Sequence, residues 1–317
     1  MLKNMEHQKL EFFIIDILKL FFSLCVVCIH AWLYTRLPAP FDYYVEKGLL
    51  RLAVPFFFVT SGFFLAAKYE RYKYDSACAK DITIAYTKNL LPYLLIFNVL
   101  YILLSVSEYC VVGGGIKIVQ TLFFYPVGAT WFLLACIIGA WCIYFFVITK
   151  KNCLILPVAS ILYIFALLCN SYFFLAEHIG FDAFILAYIR IFVSARNGFF
   201  VGFLFLYIGF IVRMRFAHYY ETNSLNRLKC ISAIGTVITY IAYAVELMLL
   251  KNVSLLDDGA LFIISPLFIY FFVLFCATFV KITTSKIWLY PRKLSTVIYL
   301  THRPLLKIFV AVLHTLR

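Results

Sequence analysis

The sequence predicts an all-α integral membrane protein, one domain over residues 1–317 built as a polytopic bundle of nine to ten transmembrane helices. Three observations predict it. Of the 317 residues, 65% are hydrophobic and 14% charged, against roughly 45–50% and about 25% in soluble domains. The apolar residues gather into stretches of about 17 to 25, the length a helix needs to cross a bilayer. Lysine and arginine concentrate in alternate connections, the asymmetry that orients membrane helices.

The predicted spans are 12–34, 48–67, 83–106, 131–149, 153–175, 197–212, 230–250, 259–280 and 294–314. The stretch 181–193, "FDAFILAYIRIFV", is short and holds Arg190, so it reads as a tenth span or an interfacial helix. The first run is too long for a removable signal peptide and has no small-residue cleavage site. Connections 68–82, 150–152, 213–229 and 281–293 carry four, two, four and four Lys/Arg, whereas 35–47, 107–130 and 251–258 carry two, one and one. With Lys3 and Lys9 ahead of the first span, the N-terminus is predicted to be cytoplasmic. Nine spans would put the C-terminus outside, ten inside. The connection 108–130, with "VVGGG" and "FFYPVG", is the most irregular on the other side and reads either as a loop dipping over a cavity or as a linker.

The formal charge of +13 follows from this topology, which argues against a nucleic-acid partner. Of ten cysteines, Cys25, Cys28, Cys136, Cys142, Cys169 and Cys276 lie in apolar runs, where the thiol behaves as a small hydrophobe. Cys25 and Cys28 have CxxC spacing but sit mid-helix, away from any redox-motif context. No metal site and no permanently bound cofactor are expected.

Function should show in the polar exceptions, because ionisable groups in hydrocarbon are expensive unless paired or at work. Asp16 and Lys19, three apart in the first span, share a face and can pair. Eleven further steps return to nearly that face at His30, about 16 Å along the axis. The bland reading neutralises Asp16 with Lys19 and leaves His30 at the interface. The second span opens at Arg51 in "RLAVPFFFVTSGFFL"; Pro55 should loosen the backbone one turn later, and Ser61-Gly62 should admit another helix or a ligand. Arg51 alternatively snorkels. Lys88 stands four residues before Pro92 in "TKNLLPYLL". Trp131 alternatively belongs to an aromatic belt. The last span, "STVIYLTHRPLL", places Tyr299, His302 and Arg303 in an apolar run.

Taken in order, the Lys19-x10-His30 element, "RLAVPFFFVTSGFFL", "TKNLLPYLL", "ATWFLLA" around Trp131, "RNGFFVGFLFLYIGFIV" and "VIYLTHRPLL" resemble the acyltransferase-3 family, integral membrane acyltransferases that modify bacterial surface glycans. The resemblance runs from about residue 12 to 310. It implies an acyl-coenzyme A donor, with acetyl the expected group and succinyl the alternative, and a hydroxyl acceptor on a glycan or lipid-linked sugar. It implies a place in the bacterial inner membrane and His30 as catalytic histidine, with Lys19 and Arg51 as further site residues. Asp16, Ser61, Lys88, Trp131, Tyr299, His302 and Arg303 are the candidates for substrate binding. Lys88 stands where some relatives carry a denser arginine cluster. The chain has no hydrolase-like domain such as longer relatives carry, and so resembles a stand-alone form; homodimerisation stays open.

These residue types suit acyl transfer. A near-neutral imidazole can take the hydroxyl proton or carry the acyl group transiently. Cations orient the donor or offset charge developing on the thioester oxygen. Lys88 and the basic loop from Lys68 to Lys80 would attract the coenzyme's phosphates at the inner mouth. The rival classes are a transporter or flippase of glycans or lipid-linked sugars, and a structural subunit of an export complex. A transporter should show Pro and Gly breaks in corresponding halves, and none are found.

Overall fold

A computed structural model describes residues 10–72, 75–104, 120, 125–126, 128–253, 255–256, 258–282 and 289–315. In chain order these form β1 (Leu10–Glu11), α1 (Phe13–His30), α2 (Phe41–Gly48), α3 (Ala53–Arg71), α4 (Ser76–Leu103), α5 (Thr130–Ile148), α6 (Ile155–Leu168), α7 (Phe173–His178), α8 (Asp182–Phe192), α9 (Phe203–Glu221), α10 (Leu225–Leu250), α11 (Ser265–Ala277), β2 (Lys281–Ile282) and α12 (Leu289–Thr315). β1 and β2 are a two-residue antiparallel ladder, Leu10 opposite Ile282 and Glu11 opposite Lys281. Everything else regular is helical. A membrane protein needs this, because a helix satisfies its backbone groups within itself.

Among the described residues six helical stretches are long and apolar enough to cross a membrane: Phe13–His30, Phe41–Arg71, Ala77–Leu103, Thr130–Ile148, Gly198–Glu221 and Leu225–Leu250. α6 and α11 are shorter, and α12 carries Arg292, Lys293, Arg303 and Lys307. Length and apolarity alone therefore count six of the nine to ten predicted spans. The predicted short stretch 181–193 is α8. The irregular connection 108–130 lies mostly outside the described residues.

The tightest crossing joins α3 to α9. A Cβ at Gly62 would stand 2.0 Å from the Leu206 carbonyl oxygen, and one at Gly209 would stand 2.2 Å from that of Val59. Small residues let two backbones touch, and in hydrocarbon this dispersion contact replaces the hydrophobic drive between helices. Ser61-Gly62 thus admits a neighbouring helix at its glycine. Beside the crossing, α1, α3 and α11 meet through Phe22, Phe56 and Phe272, with ring centroids 4.6 to 6.4 Å apart. Large apolar side chains on the outside, such as Ile161, Met248 and Leu249, are well exposed, as a lipid-facing surface requires.

Two local features place site residues. Pro55 sits in the first turn of α3, behind a 3₁₀ turn over Leu50–Leu52. The expected loosening at Pro55 is not found, because a first-turn nitrogen has no helical carbonyl to bond and proline is at home there. Ahead of α9 a π-helical turn spans Gly198–Gly202, capped by the Asn197 side chain, which accepts from the Phe199 and Phe200 N–H groups. Such turns favour functional sites, and this one begins two residues after Arg196.

Candidate active site

His30 closes α1, and the chain leaves it through Trp32 in the left-handed region at φ 54°. The imidazole meets α12. Arg303 Nη2 donates to His30 Nδ1 at 3.1 Å and lies 3.4 Å from Nε2. His302 stacks on the same ring, centroids 5.2 Å apart and planes inclined by 20°, while its own Nδ1–H donates to the Tyr299 carbonyl at 2.7 Å. Pro304 explains a further contact. It has no N–H to offer the Leu300 carbonyl, and the Tyr101 hydroxyl of α4 donates there instead at 3.2 Å. Gly128 permits the closeness: its φ is +66°, and a Cβ would lie 2.9 Å from the Tyr101 ring and 3.0 Å from Arg303 Cδ.

His30 lines a cavity of about 140 Å³ together with Arg51, Trp131, Arg196, Asp258 and Arg303. Its charges form a network. Asp258 Oδ2 accepts from Arg51 Nη1 at 2.6 Å and from Arg196 Nη1 at 2.7 Å. Glu46 Oε1 accepts from Arg51 Nη2 at 2.7 Å and from Lys47 at 3.3 Å, and Lys47 also donates to the Asp258 carbonyl. Burial alone would raise the Asp258 carboxyl, but Arg196, Arg51 and Lys47 outweigh it and hold the group down at about 2. Among the described residues four cations, counting Arg303, thus face two carboxylates. The excess positive charge suits an oxygen that becomes negative during reaction.

Asp258 lies on an irregular, partly buried segment, where unpaired backbone groups would be costly. Side chains from other elements satisfy them. Asn170 Oδ1 accepts from the Ala260 and Leu261 N–H groups at 2.6 and 2.9 Å. Glu246 of α10 accepts from the Ile263 and Ile264 N–H groups at 2.6 and 2.9 Å and from the Tyr172 hydroxyl. Tyr163 donates to the Phe262 carbonyl at 2.9 Å. These contacts fix the loop and with it the carboxylate that spans the two arginines.

A second cavity, about 560 Å³, lies further along the same helices and is lined by Lys19, Ser61, Lys68, Arg71, Arg292 and Tyr299, among others. The expected Asp16–Lys19 pair does not form. Asp16, fully buried, takes both Nε and Nη2 of Arg292 from α12, at 3.0 and 2.7 Å. A guanidinium offers the planar fork that a carboxylate matches, which a lysine ammonium does not. Lys19 instead sits over the Phe64 ring, 4.4 Å from its centroid. Ser61 Oγ and the Tyr86 hydroxyl share a hydrogen bond of 2.7 Å.

Of the residues singled out in the sequence, His30, Arg51, Trp131 and Arg303 share the smaller cavity, with His302 stacked on His30. Lys19, Ser61 and Tyr299 line the larger one. Asp16 braces α1 against α12. Lys88 is exposed on α4 and lines neither cavity. Sequence reasoning missed Arg196 and Asp258. Arg196 opens an apolar run just as Arg51 does, and "LLDDG" puts a carboxylate before a glycine in a short connection; both signals were present.

The family model described as "Acyltransferase domain", of the acyltransferase-3 type, matches residues 12–316. A protein named serine/alanine racemase from Enterococcus gallinarum is 24% identical over 295 residues, covering 91% of this chain and 40% of that protein. The chain thus spans about two fifths of that relative's length. No solved structure matches. With the family model covering nearly the whole chain, and six helical stretches long and apolar enough to span a bilayer, the chain belongs to the acyltransferase-3 family.

Proposed function

We propose that the protein moves an acyl group, acetyl first among them, from acyl-coenzyme A to a hydroxyl of a cell-surface glycan or its lipid-linked precursor, with His30 as the base. The observation that carries this reading is a histidine held by Arg303 in a net-positive cavity, next to a larger basic cavity on the same helices. α6, α11 and α12 complete the bundle to nine spans in a bacterial inner membrane. The Lys/Arg-rich connections and the N-terminus face the cytoplasm, so Lys19, Lys68, Arg71 and Arg292 meet the anionic donor. His30, about 16 Å along α1 from Lys19, meets the acceptor.

The hydrogen bonding suggests the order of events. Arg303 donates to the ring nitrogen whose lone pair is the base. The acceptor hydroxyl displaces it and gives its proton to that nitrogen as its oxygen attacks the thioester carbonyl carbon. The displaced guanidinium, with Arg51 and Arg196, stabilises the oxyanion. The tetrahedral intermediate then expels the coenzyme thiolate, which takes the proton back from His30. The chemistry needs no further cofactor. His30→Ala should abolish the acyl mass increment on surface glycans while membrane level and insertion stay unchanged; retained acylation overturns the role.

A further inference from the structure

The two cavities share four helices, each supplying one stretch to either side. α1 gives Lys19 to the basic cavity and His30 to the other; α3 gives Phe57 and Pro55; α12 gives Tyr299 and Arg303. From α5, Phe132 faces the basic cavity and Trp131 the histidine. At the boundary three rings close a triangle. The centroids of Phe57 and Tyr299 are 5.3 Å apart, those of Phe132 and Tyr299 5.5 Å, and those of Phe57 and Phe132 6.2 Å. All three contacts are edge-on and within van der Waals range, which leaves no opening for an alkyl chain between them.

The three rings differ in how they are held. Tyr299 is buried, its hydroxyl donates to the Ala129 carbonyl at 3.4 Å, and its own carbonyl is bonded by His302, which stacks on His30. Phe57 and Phe132 are only partly buried, have no polar anchor, and border the larger cavity. Rotation of either side chain into that cavity would open a passage against the fixed tyrosine. The rings therefore lie on the side of the basic cavity where these four helices run on toward His30.

We propose that Phe57, Phe132 and Tyr299 form a constriction that sets the size of acyl group the protein transfers, with Phe57 and Phe132 as its movable members. The proposal rests on the acyl-coenzyme A reading above. The constriction acts on passage and not on docking, so acyl length should alter turnover while leaving donor affinity nearly unchanged. Apolar steric selection of this kind is worth about tenfold or more per added group.

The test uses the full chain in lipid nanodiscs, with acetyl- and hexanoyl-coenzyme A as probes for both binding and transfer. The unsubstituted protein should bind both donors similarly and transfer acetyl far faster. Phe57→Ala and Phe132→Ala, with the milder Phe57→Leu and Phe132→Leu as cover against misfolding, should raise the hexanoyl-to-acetyl transfer ratio by about tenfold. Phe132→Trp should slow both transfers with donor binding unchanged, whereas Tyr299→Phe, which keeps the ring, should leave the ratio alone. An unchanged ratio in variants that bind and transfer overturns the constriction alone. Failure of the unsubstituted protein to bind either donor overturns the donor reading, and the constriction with it.

Discussion

The two cavities differ in how their charges are held. Around His30, Arg51, Arg196 and Lys47 each meet a carboxylate, the cavity is small, and a fixed loop carries Asp258. The basic cavity is four times larger, and among the described residues none of its lining groups is acidic. Asp16, the carboxylate that pairs with its lining residue Arg292, is itself fully buried. A preorganised network suits a transition state, where dipoles and charges must already point at the reacting atoms. An open basic basin suits capture of a flexible anion. The contrast predicts that damage to the first lowers kcat and damage to the second raises KM.

The largest break should come from His30→Ala, with kcat lower by about 10³-fold as expected for loss of a general base, measured by radiolabelled acyl transfer. Asp258→Ala should come next. It leaves Arg51 and Arg196 facing each other without their shared partner, and breaking a buried pair from one side costs about 3 kcal/mol; thermal unfolding in detergent should show the loss, with kcat falling alongside. The pH sign can be worked out for this carboxyl. It is held at about 2, below the ordinary value of about 3.9, so it contributes stability that is fully present above the ordinary value and lost as pH falls through about 2. Assays between about pH 5 and pH 9 should show no titration from Asp258, and a low-pH loss of activity there that vanishes in Asp258→Asn would contradict this assignment.

Gly209→Ala tests the frame that holds both cavities. Its methyl would collide with the Val59 carbonyl, and overpacking of this kind costs about 1–3 kcal/mol, seen as a lower unfolding temperature with KM little changed. The smallest effect should be Arg71→Ala in the basic basin. Donor KM should rise about threefold with kcat constant, and the effect should fade at high salt as screening replaces the lost charge.

Much of the helical framework was legible because apolar run length is a local property, and the helices fall where the runs are. His30, Arg51 and Arg303 were legible because a charge in a long apolar run is conspicuous without any partner in view. The partners were not. Asp16 has Lys19 three residues away and chooses Arg292, 276 positions along the chain, because packing of α1 on α12 decides the neighbour and guanidinium geometry decides the bond. Arg196 and Asp258 sit in connections, where charge is common, so the signals they carry were weak beside those inside apolar runs, and the fold is what turns them inward. Pro55 misled for the same reason: its effect depends on where the helix begins, which a 3₁₀ turn had shifted.

The pairing of α1 with α12 also has a consequence for biogenesis. His30 is synthesised 273 residues ahead of Arg303 and 272 ahead of His302. Throughout that interval the imidazole lacks the groups that orient it. With His30 as the proposed base, docking of α12 becomes a built-in checkpoint between a half-made bundle and one whose histidine is oriented.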